Sequence, residues 1–266
     1  MSDQLAAIIL GLVQGLTEFL PVSSTAHLIL VSDALKLDPE KFGLSFDVAL
    51  HLGTALAVLL YFATTWIGLL NDVLHGRWRL PLVIIVGTIP AAIAGVLFES
   101  AVSTTFGSVL YIAAGLLVGS AIFVLAERLG TRRRRFDRVT LTDALVVGAA
   151  QAIALLPGIS RSGVTISAGL FRGLERPDAT RLAFLLSTPI ILGAALKTLL
   201  DARKLSGLTA ELDVVAIGFA VSFLSGLAAV AFMVRYLRTH SLNIFVIYRV
   251  ALAVVILVAV ALGALS

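Results

Sequence analysis

Long apolar segments alternate with short polar loops along most of this chain. A helix needs roughly 20 apolar residues to cross a hydrocarbon core about 30 Å thick, and six uninterrupted segments come close to that length or exceed it. They cover residues 45–66, 81–98, 108–126, 179–200, 213–235 and 243–265. The pattern predicts an all-α polytopic membrane protein with six transmembrane helices.

Two other apolar segments, residues 4–31 and 142–171, are interrupted by polar residues and a proline. The first contains QGLTEFLPVSSTAH at 14–27, and the second contains QAIALLPGISRSGVT at 151–165. Proline lacks an N–H and disfavours helix in the residue before it, and each remaining piece is too short to span the bilayer. We therefore expect two re-entrant helix-turn-helix pairs; a single kinked span is the alternative for residues 4–31.

The order of these elements repeats along the chain. Each broken pair is followed by three predicted spans, so a single membrane domain over residues 1–266 divides into halves at about 1–130 and 140–266. An odd number of spans in each half places the halves in opposite orientations, which is an inverted-topology repeat. Gly115 and Gly119, within one span, are spaced for close helix packing.

Basic residues indicate which side of the membrane is cytoplasmic. Cytoplasmic loops are enriched in Lys and Arg, and in the six-span arrangement every strongly basic loop falls on the same side. These loops are residues 71–80, 127–143, 172–181 and 235–249. We therefore expect both termini outside, with the first broken pair entering from outside and the second from the cytoplasm. The Arg132 to Arg135 run is then explained as a topology anchor, without a nucleic-acid partner.

Composition narrows the available chemistry. The chain is 59% hydrophobic and 14% charged, with mean hydropathy +1.04, whereas soluble domains carry about 25% charged residues. It has no cysteine, which excludes disulfides, thiolate nucleophiles and thiolate metal sites. The N-terminal MSDQLAA lacks a basic region and a clear cleavage site, so we expect no signal peptide.

Polar side chains collect at the two breaks, near the expected bilayer midplane. An ionisable group there costs at least about 2.5 kcal/mol, so these groups need partners or a function. Arg161 presents a planar guanidinium suited to a bidentate phosphate contact, and two helices restart with free N–H groups after the prolines. Together they predict an anion site, with phosphate as the candidate ligand.

The candidate catalytic residues are Glu18, Ser24, His27 and Arg161. His27 follows Ser24 by three residues, so the two can share a helix face, and we expect Ser24 as nucleophile with His27 as its base. Glu18 would then contact a metal or orient the other groups. The alternative has Glu18 or His27 activating water, while Ser24 only binds phosphate.

Several other polar residues have both a functional and a structural explanation. Hydroxyls at the two breaks are suited to cap the restarted helices, and Thr25 fits that role better than a ligand contact. The expected substrate contacts are Gln14, Ser23, Thr25, Gly158, Ser160, Ser162 and Thr165. Asp47 and His51, four residues apart near the mouth of a span, are expected either to pack or to support the site.

QGLTEFLPVSSTAH and LLPGISRSGVT resemble the two signature motifs of the bacterial undecaprenyl-diphosphate phosphatase family, the bacitracin-resistance type. FDVALHLGT at 46–54 and GTIPAAIAGVLFE at 87–99 also resemble this family, so the resemblance covers essentially the whole chain. It implies hydrolysis of undecaprenyl diphosphate to the monophosphate lipid carrier and phosphate, which recycles the carrier for cell-wall peptidoglycan synthesis. It also implies a bacterial inner-membrane enzyme with an outward-facing active site.

Carried over by motif, the resemblance assigns the family's functional positions to Glu18, Ser24, His27 and Arg161. It also implies a divalent cation, Mg²⁺ or Ca²⁺, with Glu18 as a ligand. The family's first acidic position is Gln14 here. Because an amide is not a base, Glu18 is the only carboxylate of the motif, which weakens a two-carboxylate metal site.

Two other function classes remain at this point. Inverted repeats with broken helices are typical of secondary transporters, so a transporter or lipid flippase using the same site is the main alternative to a phosphatase. A non-catalytic membrane scaffold is the other, and the polar cluster at the breaks argues against it. The sequence leaves the oligomeric state open, a homodimer included.

Overall fold

The structure, a computed structural model, describes residues 1–105, 108–200, 212–263 and 265. Within these ranges the chain forms eleven α-helices and one short 3₁₀ helix, and no β-strand. The helices are α1 (Asp3–Phe19), α2 (Ser24–Ala34), α3 (Leu44–Tyr61), α4 (Ala63–Leu74), α5 (Arg79–Thr105), α6 (Val109–Leu129), α7 (Leu141–Ile153), α8 (Arg161–Phe171), α9 (Arg176–Leu200), α10 (Leu212–Tyr236) and α11 (Asn243–Ala261).

Five of the described helices are long and apolar enough to cross a membrane. Their apolar stretches are Arg79–Phe98, Val109–Leu129, Arg176–Lys197, Leu212–Tyr236 and Asn243–Ala261. The number rises to six when α3 and α4 are taken together as one bent span. The predicted all-α polytopic membrane fold is therefore confirmed.

The first predicted span, residues 45–66, differs from its prediction. It is not one straight helix, because α3 ends at Tyr61 and α4 continues at an angle of 72° to it. Phe62 lies between the two helices with φ −100° and ψ 23°, outside helical geometry. α4 exposes Ile67 and Leu74, as expected of an apolar helix face against lipid.

The ends of α5 and α9 compare differently with the predicted spans. The loop predicted at residues 99–107 is wrong for most of its length, because α5 continues to Thr105; residues 106 and 107 lie outside the described residues. α9 ends at Leu200, where the span predicted at residues 179–200 also ends. The connection that follows, residues 201–211, lies outside the described residues.

Both predicted breaks are present. Residues 20–23 separate α1 from α2, and residues 154–160 separate α7 from α8. Ser160 Oγ caps α8 by accepting a hydrogen bond from the Gly163 N–H at 3.4 Å. Capping was one of two explanations for Ser23, which occupies the N-cap position of α2, but its hydroxyl makes no capping hydrogen bond.

Each broken pair packs against a helix of the other predicted half. α1 packs against α10, and α7 packs against α5. Glycines make both contacts close: a Cβ at Gly15 would lie 1.9 Å from Ser225 Oγ, and one at Gly148 would lie 2.1 Å from the Gly87 carbonyl oxygen. Small residues permit such approach between membrane helices. In each half, the first helix of the broken pair thus packs against a helix of the other half, which is the arrangement expected of two related halves. The inverted repeat itself stays a prediction.

Salt bridges join the arginine-rich connection after α6 to the neighbouring helix ends. Arg134 donates to Asp143 at 2.6 Å, and Arg172 donates to the same carboxylate at 2.7 Å. Hydrogen bonding to Asp143 raises the pKa of the Arg134 guanidinium. Arg176 pairs with Glu127 at 2.5 Å. The run that we interpret as a topology anchor therefore also holds helix ends together.

Arg249 is not a loop residue. The basic loop predicted at residues 235–249 is wrong at its end, because α11 begins at Asn243 and contains Arg249. The Arg249 side chain is completely buried. Arg238 stays in the connection between α10 and α11, and Arg235 lies in the last turn of α10 beside it. The charge difference between the two sides of the membrane is therefore smaller but has the same sign.

The predicted topology can be tested by cysteine labelling, because the native chain has no cysteine. A single cysteine in place of the exposed Ser2 should react with a membrane-impermeant maleimide added to intact spheroplasts. A cysteine in place of the exposed His240, between α10 and α11, should react only after permeabilisation. Labelling of the Ser2 variant from the cytoplasmic side alone would contradict the arrangement. Ser266, at the other terminus, lies outside the described residues.

Candidate active site

The two breaks bring the first residues of α2 and α8 to one place. Ser24 begins α2, and Arg161 begins α8. The preceding residues, Ser23 and Ser160, have positive φ angles of 76° and 74°, a conformation that non-glycine residues rarely adopt. These matching turns direct both helix N-termini, with their free N–H groups, toward the same cavity.

Glu18, in the last turn of α1, is the carboxylate of this site and is 8% exposed. Ser24 Oγ donates to Glu18 Oε2 at 2.7 Å, and Gln14 Nε2 donates to the same oxygen at 3.1 Å. Gln14 precedes Glu18 by about one helical turn, which places the two side chains on one face. The Ser24 hydroxyl therefore directs its proton at a buried carboxylate.

Arg161 and His51 approach the same carboxylate from other directions. Arg161 Nη1 lies 3.7 Å from Glu18 Oε1, and His51 Nε2 lies 3.7 Å from Glu18 Oε2. Both distances exceed the hydrogen-bond range. Arg161 Nη1 is buried without a hydrogen-bond partner, and leaving such a donor unsatisfied costs about 1–3 kcal/mol. The guanidinium therefore keeps a donor for a ligand.

A small polar cavity of about 40 Å³ lies between these groups. The end of α1, the two breaks and one residue of α3 form its walls. The lining residues are Thr17, Glu18, Ser23, Ser24, Thr25, His51, Ala154, Leu155, Leu156, Pro157, Gly158, Ser160 and Arg161. Helix N-termini, hydroxyls and a guanidinium around one cavity suit a phosphoryl group.

Three of the predicted substrate contacts do not line this cavity. Gln14 contacts Glu18, as described above. Ser162 donates to the Leu20 carbonyl oxygen at 3.2 Å, and Thr165 donates to the Arg161 carbonyl oxygen at 2.7 Å. The two hydroxyls therefore hold the backbone of the first break and of the first turn of α8.

His27 does not face Ser24, which was the geometry expected of its base. Its Nδ1 lies 2.8 Å from the Ser23 carbonyl oxygen, and its Nε2 lies 2.6 Å from Tyr248 Oη of α11. The rings of His27 and Tyr248 stack, with centroids 5.7 Å apart. The three-residue spacing permits a shared face, but Glu18 is the hydrogen-bond partner of Ser24.

Asp47 and His51 lie beside the site in different surroundings. His51 Nδ1 is 2.7 Å from the Asp47 carbonyl oxygen, and His51 lines the polar cavity. Asp47 lines a second cavity of about 610 Å³, which shares Thr25 and His51 with the first. The supporting position predicted for His51 thus adjoins Glu18, whereas Asp47 faces the larger cavity.

Sequence reasoning missed two residues of α11, Tyr248 and Arg249. Tyr248 holds His27, and Arg249 donates to carbonyl oxygens of both breaks. The signal in the sequence is an arginine within an apolar stretch long enough to span the membrane, since such an ionisable residue indicates a functional site by default. Arg249 was not recognised in this way because it was assigned to the basic loop at residues 235–249.

Comparisons with known proteins identify the family. Residues 7–255 match the family described as "Bacitracin resistance protein BacA". Similar curated proteins named "Undecaprenyl-diphosphatase" include that of Geotalea daltonii, 44% identical over 98% of this chain and 100% of the relative. That of Moorella thermoacetica is 45% identical over 95% and 96%, and that of Thermodesulfovibrio yellowstonii is 41% identical over 96% and 97%. The match spans both breaks and every residue of the polar cavity, so this chain belongs to the bacitracin resistance protein BacA family.

Proposed function

We propose that this protein is an integral membrane phosphatase that hydrolyses undecaprenyl diphosphate to undecaprenyl phosphate and inorganic phosphate. One observation carries the proposal: Glu18 Oε2 accepts a hydrogen bond from Ser24 Oγ at 2.7 Å, and the nearby Arg161 Nη1 is buried without a hydrogen-bond partner. The relatives named undecaprenyl-diphosphatase support the choice of substrate. The reaction would return the lipid carrier to cell-wall synthesis.

The geometry favours Ser24 as nucleophile with Glu18, in place of His27, as proton acceptor. Ser24 Oγ attacks the terminal phosphorus while its proton passes to Glu18 Oε2. The bond from that phosphorus to the bridging oxygen breaks, and undecaprenyl phosphate leaves. Water then attacks the phosphoserine phosphorus, Ser24 Oγ recovers its proton from Glu18, and the protons of the water remain on inorganic phosphate.

Charge neutralisation is the other requirement, because catalysis of phosphoryl transfer is mostly positioning and electrostatic stabilisation. Arg161 supplies a positive charge and an unpartnered donor at the cavity. The N–H groups at the starts of α2 and α8 add positive helix ends. In the alternative route, Glu18 activates water and Ser24 only binds phosphate.

We also propose that a divalent cation, Mg²⁺ or Ca²⁺, is held beside Glu18. The oxygen donors fit such an ion, because Glu18 is a carboxylate and Gln14 Oε1 is a buried oxygen without a hydrogen-bond partner. The described residues contain no group of three or more His, Cys, Asp or Glu suited to a metal. Substrate oxygens and water would complete the ligands, as is usual for Mg²⁺. When bound, the ion would neutralise charge on the diphosphate.

We place the enzyme in the bacterial inner membrane, with the polar cavity opening to the periplasmic side. The charge-based topology puts the connection between α2 and α3 outside. Lys36 and Pro39 of that connection line the larger cavity, which adjoins the polar cavity at Thr25 and His51. A prenyl diphosphate head group would therefore reach Ser24 from the outer side.

Purified protein in detergent should release inorganic phosphate from undecaprenyl diphosphate. Phosphate release is measured colorimetrically, with a Glu18→Gln variant as the inactive control because an amide cannot accept the Ser24 proton. Flux of intact lipid across liposomes, without phosphate release, is the result that would instead favour a transporter.

Replacing Arg161 with lysine should lower kcat/KM by about 10²-fold, the usual effect of losing one preorganised donor. Lysine keeps the charge but lacks the planar fork. An Arg238→Lys variant is the control, since Arg238 is exposed between α10 and α11 and should retain full activity. Near-normal turnover of the Arg161→Lys protein would rule out the bidentate phosphate contact.

Replacing Ser24 with alanine should nearly abolish kcat, because the covalent route loses its nucleophile. The native enzyme should yield a phosphoserine at position 24 after rapid acid quench, detected by mass spectrometry. A Ser24→Ala enzyme with near-normal kcat and raised KM would mean that Ser24 only binds phosphate. The water route would then replace the covalent one.

A further inference from the structure

Arg249 presents a buried cation that the proposed chemistry does not use. Its side chain is 0% exposed within α11, and its guanidinium lies 4.7 Å from the centre of the Phe123 ring. Among the described residues, its hydrogen-bond partners are the Ser120 hydroxyl and backbone carbonyl oxygens rather than a carboxylate. An arginine at bilayer depth is costly, so this set of partners calls for an explanation.

The guanidinium joins the two broken helices. Arg249 Nη2 donates to the carbonyl oxygens of Gly158 at 2.8 Å, Leu116 at 3.0 Å and Gly115 at 3.2 Å. Nη1 donates to the Pro21 carbonyl oxygen at 3.4 Å. Pro21 belongs to the first break and Gly158 to the second, so one planar group contacts both.

The shape of α6 makes room for this contact. A Cβ at Gly119 would lie 2.2 Å from Arg249 Nη2 and 2.6 Å from the Ile159 carbonyl oxygen. A Cβ at Gly115 would lie 2.1 Å from the Pro157 carbonyl oxygen. The two glycines predicted for close packing therefore admit the second break and the guanidinium.

The residue before Arg249 acts on the same first break. Tyr248 Oη lies 2.6 Å from His27 Nε2, and His27 Nδ1 lies 2.8 Å from the Ser23 carbonyl oxygen. Ser23 holds the positive φ that precedes Ser24. α11 thus contacts each break directly through Arg249, and it also reaches the first break indirectly through His27.

We propose that Arg249 is a positioning residue for the proposed phosphatase reaction. It fixes the two breaks against each other, so that Ser24 and Arg161 face the same phosphoryl group. Arg249 does not line the polar cavity, and it therefore acts through these two residues. The proposal rests on the proposed function only for its kinetic consequences, since the link between the breaks is a property of the fold.

The first test is an Arg249→Lys variant, which keeps the charge but has one nitrogen in place of the fork that reaches both breaks. We expect kcat to fall at least about tenfold, as small misplacements of catalytic groups do, and KM to change less than about threefold. Ser120→Ala is the matched control. It removes only the hydroxyl that accepts from Arg249 Nε at 3.2 Å, and kcat should stay within about twofold.

Combining Arg249→Lys with Arg161→Lys distinguishes a positioning role of Arg249 from a merely structural one. If Arg249 acts through the placement of Arg161, the double variant should be little worse than Arg161→Lys alone, because residues acting as a unit are non-additive. Multiplication of the two separate effects would overturn the positioning role.

A second variant displaces the guanidinium without removing it. Gly119→Ala should reproduce the loss of kcat at nearly constant KM, while Gly95→Ala, whose Cβ would meet nothing within 4 Å, should not. This variant decides the matter if the Arg249→Lys protein does not fold. Normal kcat in Gly119→Ala, or failure of both variants to fold, would overturn the proposal, the latter by making Arg249 a determinant of folding.

Hydrogen–deuterium exchange tests the link between the breaks without any activity. Arg249→Lys should speed exchange in peptides covering both residues 20–24 and 157–161, whereas Ser120→Ala should leave both unchanged. If native protein releases no phosphate, the proposed function fails while this measurement still reports on Arg249. Unchanged exchange at both breaks, or a change at one alone, would overturn the proposal.

Discussion

Lipid offers no hydrogen-bond partners to peptide groups, so a helix that breaks inside a membrane must find those partners within the protein. Here the partners of each break come from elsewhere in the fold. Leu20 accepts from Ser162, and Pro21 and Gly158 accept from Arg249. Because these bonds link the first break to α8 or reach both breaks, satisfying the backbone also fixes one break against the other.

The candidate site is a consequence of that arrangement. Because α1 and α7 end beside the cavity, α2 and α8 begin there, and their N-termini supply N–H groups that can donate to phosphate oxygens. Glu18 holds Ser24 at 2.7 Å, but its distance of 3.7 Å to Arg161 is too long for a hydrogen bond. A phosphoryl oxygen in the cavity would therefore give the Arg161 guanidinium a closer partner than Glu18 does.

Local chemistry made the main features predictable. Pro21 and Pro157 indicate the two breaks, and the motifs around them indicate the family and the candidate residues Glu18, Ser24 and Arg161. The bend after Tyr61 was not predictable, because the residues on its two sides together are apolar enough for a single span. Spacing along a helix tells which residues can share a face but not which helix lies opposite. For this reason Tyr248, 221 residues away along the chain, could not be recognised as the partner of His27.

The central claim is that one phosphoryl group binds between Ser24 and Arg161, at the starts of the two restarted helices. A cryo-electron microscopy structure with a non-hydrolysable prenyl diphosphate analogue tests it most directly. The account predicts the terminal phosphoryl oxygens within hydrogen-bond distance of the Arg161 guanidinium, with Ser24 Oγ facing the phosphorus. A terminal phosphoryl group bound in the larger cavity beside Asp47, with Arg161 still unpartnered, would contradict it.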